Sequence, residues 1–68
     1  MEEEYKGVKI KIVVEGKNER GKFTLSWPGH QPEEIRSQYK QGQYILIEAK
    51  GFVDSWIEDG YIAAPDSQ

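Results

Sequence analysis

With 68 residues the chain has room for one small domain, which at this size buries only about 60% of the surface that its unfolded chain exposes. It contains no cysteine, which excludes disulfide staples and thiolate zinc sites. The net charge of −3 is unevenly laid out: Glu2, Glu3 and Glu4 open the chain, six lysines and arginines face two acids over residues 5–22, and seven acids face Arg36, Lys40 and Lys50 over residues 33–68.

That segregation has two readings. Either the two halves attract each other within the fold, or the basic stretch Lys6, Lys9, Lys11, Lys17, Arg20 and Lys22 meets an external partner. No apolar run approaches the ~20 residues of a membrane span, and the acidic start is unlike the basic head of a signal peptide. The expectation is a cytoplasmic protein with no membrane contact.

In chain order, residues 1–4 are expected to be disordered, residues 5–64 to form a single domain, and residues 65–68 to fray. "VKIKIVVE" (8–15) alternates Val8, Ile10, Ile12 and Val14 against Lys9, Lys11, Val13 and Glu15, the period of a half-buried strand. "KFTLSW" (22–27) repeats the pattern with Phe23, Leu25 and Trp27, and "GKNERG" between them reads as a hairpin loop. Pairing Val14 with Phe23 sets Ile12 opposite Leu25, Ile10 opposite Trp27 and Glu15 opposite Lys22, with all large apolar side chains on one face. Pro28 cannot donate to a ladder and ends the second strand, so "WPGH" is a turn.

"QPEE" then predicts a helix start, with Pro32 in the first turn, Glu33 and Glu34 at the positive end of the dipole, and Gly42 as the stop. "QYILIEAK" (43–50) reads as a third strand, with Ile45, Ile47 and Ala49 inward and Tyr44, Leu46 and Glu48 outward. Residues 52–59 fit either a short helix ending at Gly60, which is favoured, or a fourth strand turning at Asp59-Gly60, and a last edge strand is expected near Tyr61–Ala63. The sum is an α+β fold with a small, mostly antiparallel sheet. The order of its elements resembles β-grasp topology, a resemblance that implies nothing about activity.

The chemistry-bearing residues are sparse. His30, the one histidine, has no cysteine or second histidine to complete a metal site and is read as a solvated turn residue. Glu33 with Glu34, and Asp54 with Glu58 and Asp59, lack the dry pocket that acid–base catalysis needs. The seven glycines never form a phosphate-cradling pattern, and Ser26, Ser37 and Ser55 have no activating base beside them. No catalytic residue, metal or cofactor is therefore assigned. The core is expected from Val8, Ile10, Ile12, Val14, Phe23, Leu25, Trp27, Ile35, Tyr39, Ile45, Ile47, Phe52, Trp56 and Ile62.

What the core leaves over is Val13, Tyr44 and Leu46, expected on the outer sheet face with Lys9, Lys11, Lys22 and Thr24 around them. An apolar middle with a basic rim points to a partner-binding surface. The expected function is a small non-enzymatic binding module, a regulator or inhibitor of the kind that prokaryotes or their phages encode. It would dock a protein partner or a second copy of itself, as a homodimer, on that face or along a strand edge. The alternative is nucleic-acid binding through the basic hairpin, with Tyr5 or Tyr44 stacking on bases.

Overall fold

A computed structural model describes residues 1–63. Four strands, β1 (Glu2–Tyr5), β2 (Val8–Val13), β3 (Lys22–Ser26) and β4 (Glu33–Arg36), precede one helix, α1 (Gly42–Glu58). The strands pair in sequence order and all antiparallel, so the sheet is a meander with α1 lying across one face. The α+β class with its antiparallel sheet is as the sequence implies, but the element order is not that of a β-grasp: no helix lies between β3 and β4.

The expected hairpin is present as β2 and β3. Val8, Ile10, Ile12, Phe23 and Leu25 all face α1 and are buried. Its register is displaced by two residues from the expected one: Ile12 lies opposite Phe23 and Ile10 opposite Leu25. An even displacement keeps every side chain on its face, so alternation alone does not resolve it. Gly21 does. A Cβ built there would lie 2.6 Å from the Val13 carbonyl oxygen and 2.6 Å from Ile45 Cδ1, so the chain turns in at a point that only glycine fits. Its N–H donates to the Tyr39 carbonyl, and its own carbonyl accepts from Ser37 N–H. Val14 consequently leaves the ladder and is exposed.

Three further expectations are corrected. Residues 1–4, expected to be disordered, supply β1, joined to β2 by a tight turn in which Lys6 and Gly7 both have positive φ (53° and 81°). Glu2 and Glu4 lie opposite Lys11 and Lys9, which gives this unlikely-looking acidic strand its electrostatic reason to pair. "PEEIR" is strand β4 rather than the start of a helix running to Gly42: so short a helix is marginal by itself, whereas pairing with β3 seats Ile35 opposite Phe23. "QYILIEAK" is the first half of α1 rather than a strand. Ile45, Ala49 and Val53, spaced by four, are buried along one face, and Ile47 is turned to solvent.

The helix stops where the sequence suggests. Asp59 caps it, Gly60 takes φ 83°, Gly60 N–H donates to Ile57 O and Tyr61 N–H to Trp56 O, the two bonds of a Schellman cap. Residues 61–63 then run as a bend with Ile62 buried, not as an edge strand. The expected fraying of 65–68 lies outside the described residues. Of the expected core, Val14, Tyr39 and Ile47 are exposed, and Trp27, Ile35, Phe52 and Trp56 are half-buried around the nine residues at the centre.

Candidate functional site

Four strands spaced about 4.8 Å apart span about 14 Å between outer axes, and a helix is about 10 Å across, so one helix leaves sheet uncovered at its flanks. The two flanks of α1 are finished differently. On the β1 side, Lys6 Nζ donates to Asp54 Oδ1 at 2.8 Å, the Tyr5 hydroxyl donates to the same carboxylate at 3.2 Å, and Lys50 Nζ reaches Glu3 at 2.9 Å. Both Lys6 and Lys50 also stand over the Tyr5 ring. The Lys6 hydrogen bond holds the Asp54 carboxyl below its ordinary pKa, and the same bond raises that of Lys6. That flank is closed by charge.

The β4 side is open. There Tyr39, Tyr44, Ile47, Gly51, Phe52, Ser55 and Trp56 line a groove of about 660 Å³, with Gln38, Glu48 and Asp59 on its rim. Ile47 is 66% exposed, Tyr44 47% and Tyr39 44%. Its far wall is positioned by one carboxylate. The buried Ser37 hydroxyl donates to Glu48 Oε1 at 2.6 Å, Gln38 N–H donates to the same oxygen, and Tyr39 N–H donates to Ser37 Oγ. Glu48 thus ties the segment after β4 to the helix and holds the Tyr39 ring 6.0 Å from that of Tyr44.

At the other end of the helix lies an aromatic cluster. The rings of Trp27 and His30 stack at 4.6 Å, and Trp56 and Tyr61 meet Trp27 edge-on at 5.8 and 5.6 Å. The Tyr61 hydroxyl donates to Glu33 at 2.8 Å and lies 3.1 Å from His30 Nε2; the bond to Glu33 raises the phenol pKa. His30 Nδ1 sits 2.7 Å from the Gln31 carbonyl, which can only accept, so that nitrogen carries a proton. His30 is exposed, as a turn residue should be, but it is packed rather than simply solvated. The rings pack against one another in stacked and edge-on contacts. Among the described residues no group of three or more His, Asp and Glu side chains is arranged to hold a metal ion.

The expected site is divided between two surfaces. Lys9, Lys11 and Val13 on β2 and Lys22 and Thr24 on β3 do share the outer sheet face. Tyr44 and Leu46 are not on that face: both lie on α1, across the sheet, where Leu46 packs against the core. The sheet face without them is a row of matched charges. Glu2 and Glu4 lie across from Lys11 and Lys9, and Lys22 Nζ lies 3.4 Å from Glu34 and 3.7 Å from Glu15. Of the basic residues of 5–22, Lys6 and Lys22 thus form ion pairs within the fold, and Lys9 and Lys11 lie across the ladder from Glu4 and Glu2. Sequence reasoning named Tyr44 and missed Tyr39, Ile47 and Gly51. The overlooked signal was the helical spacing of Tyr44, Ile47 and Gly51, hidden beneath an apparent alternation. No family model, curated protein or solved structure matches this chain.

Proposed function

We propose that the protein is a small non-enzymatic binding module that docks a protein partner in the groove between α1 and the segment following β4. One observation carries this reading. Three of the large apolar side chains that the fold leaves most exposed, Tyr39, Tyr44 and Ile47, converge on one concavity floored by Phe52 and Trp56. Tyrosine and tryptophan around an apolar centre, with a polar rim, are what protein interfaces concentrate. The outer sheet face supports docking less well, because its lysines already face carboxylates. For the same reason the basic hairpin supports nucleic-acid binding less well than its composition implies.

A photo-crosslinking residue at position 47, with one at position 11 on the opposite face as control, tests this reading in the cell that makes the protein. The expected result is a protein adduct at 47, lost when Tyr44→Ala is added. Adducts only at 11, or tight oligonucleotide binding that weakens steeply with salt and is lost in Lys9→Ala/Lys11→Ala, would refute it.

A further inference from the structure

Building on that reading, we infer that the occupant of the groove is helix α1 of a second copy of the chain, packed antiparallel across a two-fold axis at Gly51. Tyr44, Glu48, Gly51, Ser55 and Glu58 follow one another at intervals of four, three, four and three, the 3.5-residue repeat by which one helix packs along another. Gly51 is at the midpoint, and a Cβ built there would meet nothing within 4 Å, so the helix surface is open where two backbones would approach.

Two pairs of positions are complementary about that point. Ile47, four residues before Gly51, faces Ser55, four residues after it, so the most exposed aliphatic side chain of one copy enters the small-residue depression of the other. Tyr44 and Glu58, each seven residues away, bring a hydroxyl donor to a carboxylate. An isologous interface repeats each of these contacts twice.

The helix ends supply an independent argument. Helix α1 has no acidic residue in its first turn, no basic residue in its last, and no side-chain bond from its N-cap Gln41. Lys40 instead precedes the positive end of the dipole, and Glu58 and Asp59 close the negative end. Each terminus therefore carries the charge that disfavours it. Antiparallel pairing corrects both at once. Glu58 and Asp59 of one copy come to the N-terminus of the other, and Lys40 of that copy comes to the carbonyl end of the first. Parallel pairing would bring like ends together.

The test is sedimentation equilibrium of the full chain from micromolar concentration to about 1 mM, the weak end of specific association. The wild-type protein is expected to form a reversible dimer. Lys40→Glu and Glu58→Lys should each reduce dimerisation by at least tenfold, since each homodimer would then oppose like charges. An equimolar mixture of the two variants should recover a dimer, because only the mixed pair restores both contacts. Ile47→Asp, solvent-facing in the monomer, should abolish the dimer with the circular dichroism spectrum unchanged. A wild-type chain that stays monomeric throughout would overturn self-pairing, and a dimer that ignores the charge swaps would overturn this register. The docking reading is judged separately by the crosslink at 47: an adduct to a different protein keeps it and removes the second copy, and no adduct removes both.

Discussion

Two glycines to which the structure assigns opposite roles give the sharpest check on the packing. Gly21 has an ordinary φ, so replacing it with alanine costs nothing in backbone conformation, and the whole effect is steric. The new methyl would lie 2.6 Å from the Val13 carbonyl oxygen, about an ångström inside contact distance, and 2.6 Å from Ile45 Cδ1. The Ile45 methyl can rotate away, but the Val13 carbonyl belongs to the end of β2 and cannot move without loosening the hairpin. Overpacking of this kind costs about 1–3 kcal/mol. For a domain of this size that is a fall in Tm of roughly 4 °C or more. Gly51 stands in the middle of a 17-residue helix with open space around it. Gly51→Ala removes backbone freedom from the unfolded chain and should stabilise the fold by about 0.5–1 kcal/mol. Thermal melts followed by circular dichroism at low micromolar concentration, where self-association contributes least, compare the two. Equal shifts of the same sign would show that the register of β2 against β3, or the helical assignment of 42–58, is wrong.

Glu48→Ala should destabilise the domain by about 1–3 kcal/mol in urea titrations, because it leaves the buried Ser37 hydroxyl without its acceptor. It should also free Tyr39 and weaken any complex formed in the groove; a silent variant would mean that this carboxylate does not hold the segment after β4. The Lys6–Asp54 pair makes a pH prediction. The carboxyl pKa is lowered in the fold, so its contribution is present above the unfolded value, near 4, and is lost as pH falls through the folded value. The stability gap between wild type and Asp54→Asn should therefore be steady from pH 6 to 8, shrink in acid, and shrink with added salt since the pair is exposed. The Lys6 pKa is raised, so its share persists through neutral pH and fades only above the ordinary lysine range. A gap that widened below pH 4 would contradict the assignment.

Some of this fold is written locally. The period-two apolar pattern of Val8–Val13 and Phe23–Leu25 specifies two half-buried strands wherever they lie. Trp27-Pro28-Gly29 ends a strand because proline cannot extend the ladder, and Gly60 ends a helix because it adopts a positive φ without strain. The identity of residues 43–50 is not written locally, since Ile45 and Ala49 satisfy a strand's i, i+4 as well as a helix's. Only the neighbouring sheet, which buries Val53 along with them and turns Ile47 outward, separates the two periods. The acidic β1 and the short β4 have little strand propensity of their own. Lysines across from β1, and a free edge of β3 beside Ile35, make strands of them. The groove is the clearest product of tertiary structure. It exists because one helix is narrower than four strands, and because ion pairs close only one of the two flanks. No local pattern encodes that difference, since it depends on residues as far apart as Lys6 and Asp54, or Ser37 and Glu48, meeting in space.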